Sequence, residues 1–242
     1  MEKSTIIVAV DGPSGAGKST IGKMLAQTLK ALYIDTGAMY RAVALATLEA
    51  GIDTAEQDAV AQVARRSRIA LQGEPATLRV MLDDRDVTDL IRTDEVTRAS
   101  SVISAIPEVR RILVERQREM GREGSVVMDG RDIGTVVFPQ ADFKFFLTAK
   151  PEKRALRRFE EELERSSGAS YRATLEDIIV RDERDSTRSH SPLTPAPDAI
   201  LIDSTDLSID QVLERMLEEI WNQNETSKNA ESPTLYTDHG ST

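Results

Sequence analysis

The chain has 242 residues, of which 40% are hydrophobic and 30% charged, and its formal net charge is -10. This charge argues against a general nucleic-acid binder and against a protein of anionic membrane surfaces. The absence of cysteine and the presence of only two histidines exclude disulfides and thiolate or histidine-rich metal sites. No apolar run reaches membrane-spanning length and a strand pattern begins at the N-terminus, so a cytoplasmic protein is expected.

The first part of the chain alternates short apolar strands with amphipathic helices. The run "TIIVAV" at 5–10 is short, β-branched and ended by a glycine loop, which predicts a buried parallel strand. Helical spacing follows at 18–30, a short strand at 32–34 and a helix at 36–51.

The pattern changes between about 53 and 99. A helix near 56–66 is followed by "RIALQ", "TLRVMLDD" and "RDVTD", which alternate in polarity and are separated by Gly, Pro and Asp. These stretches predict a small antiparallel sheet at 64–98, inserted between a core of 1–63 and a second core segment, 99–221.

The second core segment resumes the alternation. Helices are expected at 94–105, 107–120, 151–165 and 171–189, and strands at 125–129, 143–147 and 199–203. A final apolar stripe from 209 to 220 predicts one more helix, and the polar, aperiodic remainder, 222–242, predicts a disordered tail. The fold class is therefore α/β, a parallel sheet between helices with the ligand at the carboxyl ends of the strands.

The stretch "DGPSGAGKST" follows the first strand and satisfies the phosphate-binding pattern G-x-x-x-x-G-K-[ST]. Its backbone N–H groups and the following helix N-terminus suit the phosphates of ATP, with Lys18 reaching the β- and γ-phosphates. The expected ATP-binding residues are Gly12, Pro13, Ser14, Gly15, Ala16, Gly17, Lys18, Ser19 and Thr20.

A carboxylate at a second strand end bears on a metal site. Asp129 ends "SVVMD" and could orient Mg²⁺ together with the Ser19 hydroxyl. An equally good interpretation makes Asp129 a simple turn former before Gly130.

Three arginine-bearing segments are expected at the same edge of the sheet. "DTGAMYR" carries Thr36 and Arg41, and "MDGRDIGT" carries Arg131 and Asp132. In "RDERDSTR", Arg181, Asp185 and Arg188 have i, i+4 and i+7 spacing and share a helical face. Arg181 and Asp185 could alternatively form only a surface ion pair of small value.

A fourth segment, "EKRALRR", places Arg154, Arg157 and Arg158 near the start of a helix, where cations are not favoured by the helix dipole. A mobile lid at about 151–168 carrying them would neutralise a transferring phosphoryl group and exclude water. A phosphate cradle, acceptor arginines and a lid together indicate a phosphotransferase with an anionic acceptor. Such an acceptor is already a nucleophile at pH 7, so no general base is required.

Over nearly all of 5–221 the chain resembles the bacterial cytidylate kinase family of nucleoside-monophosphate kinases. The resemblance is carried by "DGPSGAGKST", "DTGAMYR", "IRTDEVTRASSVISAIPEVR", "DGRDIGTVVFP", "RDERDSTRSHSPL" and "LIDST". It implies a P-loop, adenylate-kinase-like fold, a monophosphate-binding role for the insert at 64–98, and transfer of the γ-phosphate of ATP, with Mg²⁺, to CMP or dCMP. Because all site segments lie in one chain, a monomer is expected.

The resemblance also implies roles for individual residues. Arg41, Arg131 and Arg188 would hold the CMP phosphate, with Thr36, which stands where serine is common in the family, nearby. Ser101, Arg110 and Asp132 would read the cytosine edge, and Arg181 and Asp185 would face the ribose. Lys18, Arg131 and the three lid arginines, Arg154, Arg157 and Arg158, would act in catalysis.

Cytosine N4 donates a hydrogen bond where uracil presents an acceptor oxygen, so Asp132 would favour CMP over UMP. The alternative for Asp132 is a salt bridge with Arg131 or Arg110.

Other functional classes fit the sequence less well. A GTPase switch would need a guanine-reading N-K-x-D segment, and none occurs. A kinase acting on a sugar-like or shikimate-like acceptor would not need the insert. A non-catalytic nucleotide sensor would be expected to lack the lid arginines.

Overall fold

The computed structural model describes residues 5–122, 124–165 and 170–230. Within these residues the chain forms eight strands: β1 (Ile7–Asp11), β2 (Leu32–Asp35), β3 (Ile69–Gln72), β4 (Arg79–Leu82), β5 (Arg85–Asp86), β6 (Val126–Gly130), β7 (Phe143–Thr148) and β8 (Ile200–Asp203). It also forms eight α-helices: α1 (Lys18–Leu29), α2 (Thr36–Glu49), α3 (Gln57–Arg66), α4 (Asp94–Ile103), α5 (Pro107–Met120), α6 (Pro151–Arg165), α7 (Tyr171–Thr187) and α8 (Ile209–Ala230).

The main sheet is parallel and has the strand order β2-β6-β1-β7-β8. The central strand β1 is buried on both faces, as its continuous apolar sequence predicts. Ala9 packs in a core with α2, α3, α4 and α5, whereas Val8 and Val10 pack in a second core with α1 and α8. The expected arrangement of a parallel sheet between two helical layers is confirmed.

The insert contains a three-stranded antiparallel sheet, β3-β4-β5, within the predicted range 64–98. It is not packed separately from the rest, because Val80, Leu82 and Val87 are buried in the same core as Met39 of α2. An exposed ion pair between Arg85 and Glu49, at 2.7 Å, also connects this sheet to α2.

Several boundaries differ from the sequence expectations. Helix α8 continues to Ala230, beyond the predicted start of the tail at 222, since no Pro or Gly interrupts the chain before Pro233. Residues 231–242 of the predicted tail and 166–168 of the predicted lid lie outside the described residues. One π-helical turn, Ile133–Val137, was not predicted. In the part of the chain that the structure describes, no helix has the length and apolar character to cross a bilayer.

Candidate active site at the carboxyl edge of the sheet

Three aspartates meet where parallel strands end. Asp11 and Asp35 are the last residues of β1 and β2, Asp129 is the last but one of β6, and register places Asp35 beside Asp129 and Asp11 beside Gly130. All three carboxylates are buried. The predicted convergence of the P-loop, the segment after β2 and the segment after β6 is therefore present at this edge.

The P-loop connects β1 to α1 and requires glycine at its first position. Gly12 has φ +146°, and a Cβ there would lie 1.9 Å from the Leu147 carbonyl oxygen of β7. Because that neighbour is backbone, no larger residue fits without moving the sheet. Gly17 also has positive φ, +94°, at the N-cap of α1. The loop thus opens directly onto the carboxyl edge.

Lys18 lies buried inside the loop and faces other charges. Its Nζ donates to the Pro13 carbonyl oxygen at 2.7 Å. Burial lowers the pKa of Lys18 well below its ordinary value, and the nearby Arg131 lowers it further, against the opposing effect of Asp129. Lys18 and Arg131 are therefore close neighbours across the donor and acceptor sides of the site.

Hydrogen bonds hold the side chain of Asp129 in one orientation. Its Oδ2 accepts from Ser19 Oγ at 2.8 Å, and its Oδ1 accepts from Tyr33 Oη at 3.0 Å. Its backbone oxygen accepts from Thr36 Oγ1 at 2.7 Å. Burial, followed by the charge of Asp35, raises the pKa of Asp129 to about 6. Both oxygens of this carboxylate are thus oriented by hydroxyl groups of other segments.

Ser19 and Asp129 fit the chemistry of Mg²⁺, which prefers oxygen ligands and usually takes few of them from protein when phosphates supply the others. Among the described residues no group of three or more His, Cys, Asp or Glu side chains forms a cage for a metal. A cation held between this pair and nucleotide phosphates is consistent with that arrangement.

Asp185 of α7 is the centre of a cluster of three arginines, Arg131, Arg181 and Arg188. Its Oδ2 accepts from Arg131 Nε at 2.9 Å, and Arg181 Nε and Arg188 Nη1 each lie 3.9 Å from one of its oxygens. Burial alone would raise the pKa of Asp185, but Arg131 and Arg181 outweigh it and hold that pKa below its usual value. Because Asp185 is only 3% exposed, the interpretation as a surface ion pair is wrong.

One carboxylate does not neutralise these cations. Burial and then the charge of Arg131 lower the pKa of Arg181 to about 9, with Arg158 and Arg41 adding to the effect. Several guanidinium nitrogens are buried without a hydrogen-bond partner in the described part of the chain: Arg41 Nε, Arg110 Nε, Arg181 Nε and Arg188 Nη2. Excess positive charge with unused N–H donors is the pattern expected of an anion site.

Arg41 and Thr36 lie at the start of α2. Asp35 caps this helix by accepting from the Ala38 backbone N–H at 2.7 Å, and its second oxygen accepts from Arg41 Nη2 at 3.1 Å. The cap therefore also orients Arg41 toward the cluster.

Asp132 is paired with Arg110 through a buried, charge-assisted hydrogen bond to its Oδ2. The salt-bridge alternative with Arg110 is thus present. Within the described residues Asp132 Oδ1 receives no hydrogen bond. The Arg110 guanidinium also lies 5.6 Å from the ring centroid of Tyr40, whose buried hydroxyl has no partner in the same residues.

Ser101 of α4 is joined to α7. Its Oγ accepts from Arg184 Nη1 at 2.7 Å, and it is 5% exposed. Arg184 was not singled out from the sequence, although it lies within the quoted "RDERDSTR". Tyr33, Tyr40 and Asp11 were also missed, because a buried hydroxyl or carboxylate in an apolar segment gives no periodic signal.

The three arginines of α6 differ from one another. Arg154 donates to the carbonyl oxygens of Ala149 and Ser14 and to Asp182, at 2.8, 3.0 and 2.6 Å. Arg157 donates to Ser204 Oγ and to the Ser204 carbonyl oxygen, at 3.1 and 2.6 Å.

Arg158 pairs with Glu162 through its Nε at 2.8 Å, and its charge acts on Arg181. The structure therefore does not give these three arginines a shared contact.

Comparison with known proteins agrees with this geometry. The family model described as cytidylate kinase matches residues 8–222. The cytidylate kinase of Caldanaerobacter subterraneus subsp. tengcongensis is 51% identical over 216 residues, 89% of this chain and 95% of the relative. Those of Solibacter usitatus and Rhodococcus opacus are 50% and 48% identical over 218 residues, covering 89% and 90% of this chain and 92% and 95% of the relatives. The chain belongs to the cytidylate kinase family of nucleoside-monophosphate kinases.

Proposed function

We propose that this protein transfers the γ-phosphate of ATP to CMP or dCMP, giving CDP or dCDP and ADP. The observation that carries the proposal is the cluster of Arg41, Arg131, Arg181 and Arg188 next to Lys18, whose positive charges outnumber the two carboxylates paired with them, those of Asp35 and Asp185. A dianionic acceptor phosphate would satisfy these donors and meet the donor phosphate held by the P-loop.

On the donor side, residues Gly12–Thr20 would cradle the phosphates of ATP, with Lys18 following the charge of the transferred group. Ser19 and Asp129 would hold Mg²⁺, which supplies charge neutralisation at the phosphate oxygens. Tyr33 fixes the orientation of Asp129 through its hydrogen bond to Oδ1 at 3.0 Å.

On the acceptor side, Arg41, Arg131 and Arg188 would bind the CMP phosphate, whose oxygen attacks without help from a general base because it is already ionised. Asp185 holds Arg131 by the hydrogen bond at 2.9 Å and, with Arg181, would face the sugar hydroxyls. Catalysis then rests on positioning and on electrostatic stabilisation.

Recognition of the base would involve Asp132, Arg110 and Ser101. Asp132 Oδ2 is occupied by Arg110, so Oδ1 is the oxygen offered to cytosine N4–H₂. The Ser101 hydroxyl oxygen already accepts from Arg184, which leaves its proton to be donated to an acceptor of the cytosine edge. Uracil would present the wrong hydrogen-bonding group to Asp132.

The three lid arginines would have different roles. Arg158, whose charge acts on Arg181, would neutralise negative charge on the phosphoryl group during its transfer. Arg154 would hold the lid helix to the P-loop through Ser14, and Arg157 would hold it to the segment after β8. The insert at 64–98 would act on the monophosphate indirectly, by packing against α2 and α4.

We further propose a cytoplasmic monomer acting in pyrimidine nucleotide metabolism, for which the lack of cysteine and the single-chain site give support.

The test is an ADP-release assay with ATP and Mg²⁺ and with CMP, dCMP, UMP, AMP or a non-nucleotide acid as acceptor. Turnover with CMP and dCMP well above that with UMP and AMP is expected. Turnover only with a non-nucleotide acceptor would overturn the proposal.

A further inference from the structure

Asp11 is a buried carboxylate with no place in the chemistry described above. It ends β1 immediately before Gly12 of the P-loop and is 4% exposed. Its Oδ1 accepts from the Ile133 backbone N–H and its Oδ2 from the Gly134 backbone N–H, both at 2.8 Å. Both donors open the π-helical turn Ile133–Val137 that follows Arg131 and Asp132.

Asp132 occupies the N-cap position of this turn but does not cap it. An aspartate at that position normally accepts from the N–H of the second or third residue of the turn, here Gly134 or Thr135. Asp11, from the neighbouring strand, accepts from Gly134 and from the residue before it, Ile133, and the Asp132 carboxylate is bonded to Arg110 instead. Asp11 therefore caps the turn, although Asp132 occupies its N-cap position.

The turn also packs closely against Asp11. A Cβ on Gly134 would lie 3.4 Å from Asp11 Oδ2 and 3.1 Å from Cδ of Lys144 in β7. If the two hydrogen bonds were lost, Asp132, at the N-cap position, would carry an acceptor for the freed Gly134 N–H.

We propose that Asp11 is a positioning residue for acceptor specificity: by capping the 133–137 turn it leaves Asp132 free to pair with Arg110 and to read the acceptor base. The inference rests on the proposed function for the part that concerns the base. Without Asp11, Asp132 rotates to cap its own turn and leaves Arg110.

The first experiment compares Asp11→Asn with wild type using CMP and UMP as acceptors at about pH 8, where Asp11, with its pKa raised to about 7, is mostly ionised and both of its oxygens accept. Asparagine is isosteric but can accept only one of the two N–H groups, since its amide nitrogen is a donor. We expect KM for CMP to rise roughly tenfold and the CMP-to-UMP ratio of kcat/KM to narrow roughly tenfold, while KM for ATP stays within about twofold. Asp11→Ser, which keeps one acceptor in a smaller side chain, should act in the same direction.

Asp142→Asn is the matched control. Asp142 accepts from the Ile7 backbone N–H at 2.7 Å, at the other end of β1, and is far from the site edge. It should leave the CMP-to-UMP ratio unchanged. If both Asp11 variants lower the melting temperature and leave that ratio at the wild-type value, the role of Asp11 is structural only and the proposal is wrong.

A double-variant test separates action through Asp132 from any direct effect. In an Asp132→Asn background, Asp11→Asn should not change the CMP-to-UMP ratio further, because the side chain through which it acts has already been altered. An equal narrowing in both backgrounds would contradict the proposal.

The cap can also be tested without nucleotide. Amide hydrogen exchange at Ile133 and Gly134 should stay slow in Asp132→Ala, where Asp11 still caps the turn, and should accelerate when Asp11→Asn is added, because no side chain can then replace the lost acceptor. Slow exchange in both would refute the capping role. This result does not depend on which acceptor the enzyme uses, and a wild type that shows no preference for CMP would count against the proposed function alone.

Discussion

Two sets of buried or half-buried arginines lie within one site and differ in how their donors are used. Each of the three guanidinium nitrogens of Arg154 donates to a protein oxygen, and both terminal nitrogens of Arg157 do so. In the second set, by contrast, Arg41, Arg181 and Arg188 each have a buried nitrogen with no partner among the described residues. The charge of Arg41 also repels that of Arg181, and the charge of Arg110 repels that of Arg188.

We interpret the first set as arginines that join two segments of the protein, and the second set as arginines that are available to bind an anion. The arginine hydrogen bonds that join the P-loop, α6 and α7 stabilise the fold, because breaking them would leave buried polar groups without partners. Unsatisfied donors and mutual repulsion cost stability in the free protein and are relieved when an anion binds. Substitutions in the two sets should therefore affect different measurements.

Lys18→Ala should give the largest effect of these substitutions. Like the arginines with unsatisfied donors, Lys18 should affect activity more than stability. Lys18 is close to Arg131 and Arg181, so its removal relieves repulsion while it removes charge needed in transfer. We expect kcat to fall by roughly 10²–10³-fold or more with little loss of melting temperature. Lys23→Ala, on the same helix, is the control. An unchanged kcat would remove the P-loop lysine from the mechanism.

Arg154→Met should act chiefly on stability. The variant keeps the length of the side chain but leaves Asp182 and the carbonyl oxygens of Ser14 and Ala149 without their donor. A broken buried pair typically costs 3–5 kcal/mol, so a loss of about 3 kcal/mol in the free energy of unfolding is expected. Urea denaturation gives this value. Arg181→Met, which removes a repelled charge, should change it by less than about 1 kcal/mol.

Arg188→Met should act chiefly on the acceptor. The Arg188 side chain is 6% exposed, burial and the charge of Arg110 lower its pKa, and its Nη2 has no hydrogen-bond partner among the described residues. We expect KM for CMP to rise about 30–100-fold with KM for ATP little changed, since a charged contact to phosphate is lost. Arg188 lies just after the end of α7, and Arg172→Met, which replaces an exposed arginine of α7 paired with Glu176, should alter neither KM value. Equal rises in both KM values would mean that the cluster is not specific to the acceptor.

The sequence predicted the P-loop, the strand ends and the arginine-bearing segments that meet there because each leaves a local signal: a glycine pattern, a change of periodicity or a helical spacing. It could not predict which arginines are satisfied, since that depends on carbonyl oxygens such as that of Ser204, supplied by a distant segment. The capping of the 133–137 turn by Asp11 was equally hidden, because the two segments are 122 residues apart in the chain. Helix α8 extends beyond its apolar stripe, because the polar residues that follow contain no helix breaker.

The buried carboxylates allow the same comparison to be made by pH, with the smallest expected effect. Burial raises the pKa of Asp11 to about 7, against the opposing effects of the Gly134 and Ile133 N–H groups and of Lys18, while the charge of Asp132 adds to the rise. In the unfolded chain an aspartate titrates near 4. Between these two values the folded state binds the proton more tightly, so the contribution of Asp11 to the free energy of unfolding decreases as pH rises and levels off above about 7.

Between pH 6 and 7 this decrease should amount to roughly 1 kcal/mol, and it should be absent in Asp11→Asn. Asp129, with a pKa raised to about 6, acts mainly below that window and is common to both proteins. Urea denaturation of wild type and variant at pH 6 and at pH 7 measures the difference, and Asp142→Asn serves again as the control. If wild type and Asp11→Asn lose the same amount of stability over that interval, Asp11 keeps its charge throughout, and both of its oxygens act as acceptors at every pH at which the enzyme works.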